Sequence, residues 1–148
     1  MEPTGPMASR RFAATLQSLG PLRTFVKEAA AACGLEPKAA YGLMLAVDEI
    51  ATNIVTHGFQ EAGLTGDFTV HCQVDSGRLR IVLEDEAAAF DPRSRDLPTQ
   101  EELARPLEDR SAGGLGIFLT VQGVDRFDYQ RREGRNVNIF ELVLPSGT

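Results

Sequence analysis

The sequence has two cysteines in 148 residues, Cys33 and Cys72, and no CxxC spacing. A zinc cluster or disulfide scaffold is therefore disfavoured, and the pair reads as two buried free thiols. No apolar run approaches the roughly 20 residues that span a bilayer. Residues 1–11 also lack the apolar stretch of a signal peptide. Basic residues are outnumbered, 15 against 21 acidic, for a net charge of −6. That balance disfavours broad attraction to nucleic acid or to an anionic membrane, and a cytoplasmic protein is expected. A polyanionic ligand would have to be held by local donors, because the overall field opposes it.

Hydrophobic residues make up 43% of the chain, enough for the core of one domain. Residues 1–8, with Pro3, Gly5 and Pro6, read as a flexible leader, and 9–146 as a single domain. A weak strand pattern covers 9–16. Leu22, Val26, Ala29 and Cys33 then fall at helical spacing over 21–33, with Gly34 placed as a C-cap. Pro37 opens a second helix, expected to run to about His57, with Leu43, Val47, Ile50 and Ile54 as its apolar stripe. Two alternating strands follow, turning at Asp75-Ser76-Gly77. Residues 86–112 carry three prolines and many charges without strong periodicity, as a lid or insert would. A short helix is predicted from about Leu115 to Gly123, then a second hairpin across Glu133-Gly134-Arg135. The order β-α-α-β-β-lid-α-β-β predicts a mostly antiparallel sheet with helices on one face.

Four features could carry chemistry. Glu49 and Asn53 lie one turn apart on a helix face beside the apolar stripe. They are either a solvated flank or, at a cavity edge, a proton acceptor and an amide ligand for a hard cation. Asp85 continues the inward face of Leu79, Ile81 and Leu83, so either a carboxylate points at the core or the strand ends at Leu83. Gly113, Gly114, Leu115 and Gly116 precede an apolar helix, and such a turn can present backbone N–H groups to phosphate. It is not a P-loop, since no GK[ST] follows. His57, one turn after Asn53, either reaches the same pocket or caps the helix end.

The order of these features resembles the GHKL ATPase superfamily, and within it the bacterial anti-sigma-factor serine/threonine kinases. Residues 45–59, with Glu49 and Asn53, look like that family's N box. Glu84-Asp85 through Phe90-Asp91-Pro92 looks like its G1 box, and 113–119 is similar to its G2 box. The resemblance implies a two-layer α/β sandwich, a mostly antiparallel mixed sheet with helices on one face, and an ATP lid over about 93–112. It implies Glu49 as the general base and Asn53 as the Mg²⁺ ligand. By the same resemblance Asp85 accepts from the adenine amino group, with Ala87 and Phe90 beside it. Gly113, Gly114, Leu115 and Gly116 would hold the phosphates. ATP and Mg²⁺ are the implied cofactors. The implied partners are a sigma factor and a STAS-domain antagonist, and such proteins are often homodimers. Where the family's G1 box carries glycine, this sequence has Ala87. If that position needs a positive φ or a close backbone approach, its methyl group costs on the order of 1 kcal/mol or more.

Overall fold

The structure, a computed structural model, describes residues 8–92 and 123–145. Strand β1 (Ala8–Ala13) leads through a 3₁₀ turn at Leu16–Ser18 into helix α1 (Leu19–Ala32). Leu22, Val26 and Ala30 recur every four residues along α1 and are fully buried, so one stripe faces the core. The helix ends as expected. Gly34 sits at φ +77°, while its N–H and that of Leu35 bond the carbonyls of Ala31 and Ala30 at 3.1 Å.

Helix α2 (Pro37–Asn53) starts on Pro37 and buries Leu43, Val47 and Ile50. The expectation of α geometry to His57 is corrected here. Residues Ile54–Gln60 form a π-helical segment, with Glu61 N–H bonded to the Thr56 carbonyl five residues back at 2.9 Å. Two threonines contribute: the hydroxyls of Thr52 and Thr56 bond the carbonyls of Asp48 and Thr52, a back-bonding that bends helices. Gly58, the residue after the expected helix end, lies inside this segment. Arg23 of α1 pairs with Asp48 of α2 at 2.7 Å and ties the two helices together.

The remaining strands are β2 (Asp67–Asp75), β3 (Arg78–Asp85), β4 (Arg126–Arg132) and β5 (Arg135–Val143). They form a five-stranded sheet in the order β1-β2-β3-β5-β4. Every pairing in it is antiparallel, so the described sheet is wholly antiparallel where a mixed one was expected. Both hairpins close through two residues at positive φ, Ser76-Gly77 and Glu133-Gly134, the geometry that matches strand twist. The first strand stops at Ala13, short of the expected residue 16. The lid at 93–112 and the helix from Leu115 lie outside the described residues, apart from Gly123. Of the two free thiols, Cys72 is buried and Cys33 only half-buried. Burial, then the neighbouring Cys33, pushes the Cys72 thiol up to about 11. No helix among the described residues is long and apolar enough to cross a membrane.

Register decides what shares the inner face. Phe12, Phe68, Asp85, Asn136 and Arg131 form one cross-strand row, and Val70, Leu83, Asn138 and Tyr129 lie in the next. Under α1 and α2 the core closes over Phe68, Ile81, Leu83 and Phe140, all at most 1% exposed. The outer face is charged. Glu141, 2% exposed, meets Arg80 at 2.6 Å, Arg126 at 3.4 Å and Arg78 at 3.7 Å. Burial raises the Glu141 carboxyl, but the Arg80 hydrogen bond and the three guanidinium charges outweigh it and hold it below its usual range.

A carboxylate held low stabilises the fold above the ordinary carboxylate range, and that support is lost on acidification. Glu141→Gln should therefore destabilise by about 1–3 kcal/mol at neutral pH, discounted because the arginines are half-exposed. Urea melts across pH check this, and the deficit should shrink in acid. An equal deficit at every pH contradicts the charge account.

Candidate functional site

The end of α2, the π-helical segment and the β3–β5 pair meet around a small internal cavity. Its lining includes Ile50, Asn53, Gly58, Asp85, Phe90, Asn136 and Asn138. Three of these side chains leave a buried atom unpartnered among the described residues: Asn53 Nδ2, Asp85 Oδ2 and Asn138 Oδ1. Buried polar groups are nearly always hydrogen-bonded, so one donor and two acceptors left open on one cavity point to something that fills them. The cavity measures about 10 Å³, the least that admits one water. A roomier cleft of about 420 Å³ also touches Asp85, with Arg11, Thr69, Glu84 and Arg135, and one of about 520 Å³ lies elsewhere, lined by Tyr41, Leu45 and Val124. Neither gathers the three open atoms, and chemistry outranks volume in choosing the site.

Asp85 ends β3 at 3% exposed, so the inward reading of its alternation holds. Its Oδ1 accepts from Ala87 N–H at 2.9 Å and from Asn136 Nδ2 at 2.8 Å. Burial raises the Asp85 carboxyl above its usual range; these two donors and the Arg131 charge oppose that rise, and Glu84 adds to it. Glu49 is half-buried on α2 and stands one turn before Asn53, outside the cavity lining. Burial first, then the charge of Asp48, raises its carboxyl as well. A raised carboxylate is a stronger base towards a hydroxyl.

The structure brings Asn53, Asp85 and Phe90 together, with Ala87 packed behind them. The positive-φ strain considered for Ala87 does not arise. Ala87 has no positive φ, is 2% exposed, and its methyl lies 3.1 Å from where a Cβ on Gly58 would stand. Gly58 on the π-helical segment makes room for the Ala87 methyl on the loop. Ala88 N–H bonds the Gly58 carbonyl at 3.4 Å. His57 stacks on Phe90 at 5.3 Å and pairs with Glu61 at 2.9 Å, so it joins the rim of the site as well as the helix end. Gly113, Gly114, Leu115 and Gly116 lie outside the described residues.

Sequence reasoning missed Asn136, Tyr129 and Arg131. Asn136 Nδ2 also donates to the Ala88 carbonyl at 3.0 Å, and its Oδ1 accepts from Phe90 N–H at 3.3 Å and from the Tyr129 hydroxyl. Arg131 donates to the Ala87 carbonyl at 2.9 Å. The signal was available: β5 alternates Asn136, Asn138, Phe140 and Leu142 on one face, two amides among core residues.

The residues fit a purine nucleotide in chemistry. Asp85 Oδ2 is an open acceptor for an exocyclic amine, and a base would require the Ala88–Pro92 stretch to yield, since the cavity now admits only a water. Among the described residues no group of three or more His, Cys, Asp or Glu forms a metal site. A Mg²⁺ held by Asn53 would complete its shell from phosphate oxygens and water, as Mg²⁺ commonly does.

Comparison with known proteins agrees with this layout. The model for the histidine kinase-like ATPase domain matches residues 12–140, and the chain belongs to that family. The "Serine-protein kinase RsbW" of Bacillus licheniformis is 30% identical over 106 residues, 68% of this chain and 63% of the relative. The protein of the same name from Bacillus pumilus is 27% identical over 97% of this chain and 90% of its own. The "Serine/threonine-protein kinase BtrW" of Bordetella bronchiseptica is 34% identical over 65% of each. The match thus spans about six-tenths of the Bacillus licheniformis relative. A crystal structure of RsbU and RsbW domains from Mycobacterium tuberculosis superposes with a TM-score of 0.62 at 15% identity. That match covers 95% of this chain and 33% of the other. A histidine kinase domain from Erythrobacter litoralis gives 0.51 at 18% identity, over 86% and 60%. These two likenesses establish the fold.

Because the folded Asp85 carboxyl is raised, the native state keeps a proton that the unfolded chain has released just above the ordinary carboxylate range. Native stability then falls as pH rises through that window. Asp85→Asn should accordingly melt higher than wild type in mildly alkaline buffer, with the gap narrowing in acid. A variant that melts lower at alkaline pH contradicts the placement of Asp85 as a buried charge.

Proposed function

We propose that this chain is an ATP-dependent protein serine/threonine kinase of the anti-sigma-factor type. It phosphorylates a STAS-domain antagonist, sequesters a sigma factor, and acts in the cytoplasm, as a homodimer in keeping with such proteins. The observation that carries the nucleotide reading is Asp85: a buried carboxylate with one oxygen saturated and the other open on the cavity shared with Asn53. The kinase names of the relatives support the phosphoryl-transfer part.

Bound Mg-ATP would supply the phosphoryl group, with the metal offsetting charge on the phosphates. Asp85 Oδ2 accepts from the adenine amino group and sets the depth of the base. Phe90, backed by His57, covers that base. Asn53 offers its amide to the metal one helical turn from Glu49, and Glu49 takes the proton of the acceptor hydroxyl. Gly113, Gly114, Leu115 and Gly116 would hold the phosphates, with about 93–112 as the ATP lid.

The closed 10 Å³ cavity favours one competing reading, a partner-switching module that holds nucleotide weakly and does not turn over. Calorimetry with Mg-ATP separates the two, because tight binding is incompatible with a degenerate site. Incubation with Mg-ATP and the cognate STAS protein should give phosphoserine or phosphothreonine. Glu49→Ala should lower that rate by about 10²–10⁴-fold while leaving nucleotide affinity near wild type. A Glu49→Ala protein that phosphorylates as fast as wild type removes Glu49 from the role of base.

A further inference from the structure

Asn136 uses all of its hydrogen-bonding capacity on one stretch of chain. Its amide hydrogens go to Asp85 Oδ1 at 2.8 Å and to the Ala88 carbonyl at 3.0 Å, with the Ala87 carbonyl at 3.4 Å. Its oxygen accepts from Phe90 N–H and from the Tyr129 hydroxyl. An amide with donors on one side and carbonyls on the other cannot flip without losing both sets. One side chain, 3% exposed, therefore fixes residues 85, 88 and 90 together. Register makes this unavoidable, because Asn136 is the direct cross-strand partner of Asp85 and Arg131 is the partner of Asn136 on the far side.

The consequence concerns aim. A carboxylate on its own can rotate about its Cβ–Cγ bond and offer either oxygen. With one oxygen, Oδ1, claimed by both Asn136 and Ala87 N–H, the plane of the carboxylate is fixed and the other oxygen, Oδ2, is left without a partner among the described residues, on a side chain that lines the cavity. We propose that Asn136 is a positioning residue for base recognition: it holds the Asp85 carboxylate so that Oδ2 receives the exocyclic amine of adenine, with Tyr129 and Arg131 as its supports. This inference rests on the reading of Asp85 given above, and it assigns to the β4–β5 hairpin a share in nucleotide selectivity.

The test compares affinities for ATP and for purine riboside triphosphate, which lacks the amine. Wild type, Asp85→Asn and Asn136→Asp are measured, with a thermal melt of each. Asn136→Asp keeps the shape of the side chain but removes the donor to Asp85. General loosening of the loop weakens both ligands alike and leaves their ratio unchanged. A misdirected carboxylate loses only the amine-dependent part. The wild-type ratio should favour ATP by about tenfold or more, and in Asn136→Asp it should fall towards one. If Asn136→Asp fails to fold, Tyr129→Phe, which frees one side of the same amide, should lower the ratio by a smaller factor.

Retention of the wild-type ratio in folded Asn136→Asp, or in Tyr129→Phe where that variant stands in, overturns the inference. If Asp85→Asn abolishes the preference while the Asn136 variant keeps it, the positioning role alone fails. If wild type shows no preference, or Asp85→Asn keeps it, the reading of Asp85 fails and the role of Asn136 falls with it.

Discussion

A carboxylate at the end of an inner strand, dry and hydrogen-bonded on one oxygen only, is the constraint around which this site is arranged. Leaving Asp85 ionised in that place costs free energy, and the fold offsets it locally with an amide from β5, a backbone N–H from the following loop and the Arg131 charge. Each of those groups depends on something larger. Asn136 is beside Asp85 because β5 inserts between β3 and β4. Ala87 N–H is in reach because the loop folds back over the π-helical segment. A slip of β5 by one residue against β3 would turn Asn136 to the charged outer face and leave Asp85 and the loop without their anchor.

Helix α2 faces the same constraint from the other layer. Its α geometry carries the apolar stripe as far as Asn53, and the wider turn that follows sets Gly58 against Ala87 and His57 over Phe90. The contact is close, and glycine at position 58 leaves room for the alanine at position 87. Ala87 sits without positive φ behind this contact, and Phe90 and Pro92 are among the residues that line the closed cavity.

Much of this was legible in the residues. Alternation along 79–85 placed Asp85 on the inner face, the paired turns at Ser76-Gly77 and Glu133-Gly134 marked both hairpins, and helical spacing put Asn53 beside the core stripe. What escaped was long-range. A π turn leaves no periodic trace, since the same apolar residues serve α and π spacing over so short a run. Asn136 looked like any polar strand residue until register paired it with Asp85 across 51 positions of sequence. The contact between Gly58 and Ala87 likewise shows only when the two segments touch. Glu49 and the glycines at 113, 114 and 116 rest on the family pattern: Glu49 is half-buried one turn before Asn53 and outside the cavity lining, and the glycines lie outside the described residues.

The central claim is that Asp85 Oδ2 is the receptor for a purine amine. A crystal structure with Mg-ADP bound tests it most directly. The account predicts the exocyclic amine within hydrogen-bonding distance of Asp85 Oδ2, Asn136 still bonded to Oδ1, and residues 88–92 displaced to admit the ring. A nucleotide bound elsewhere, with the cavity between Asn53, Asp85 and Asn138 still closed, would contradict it.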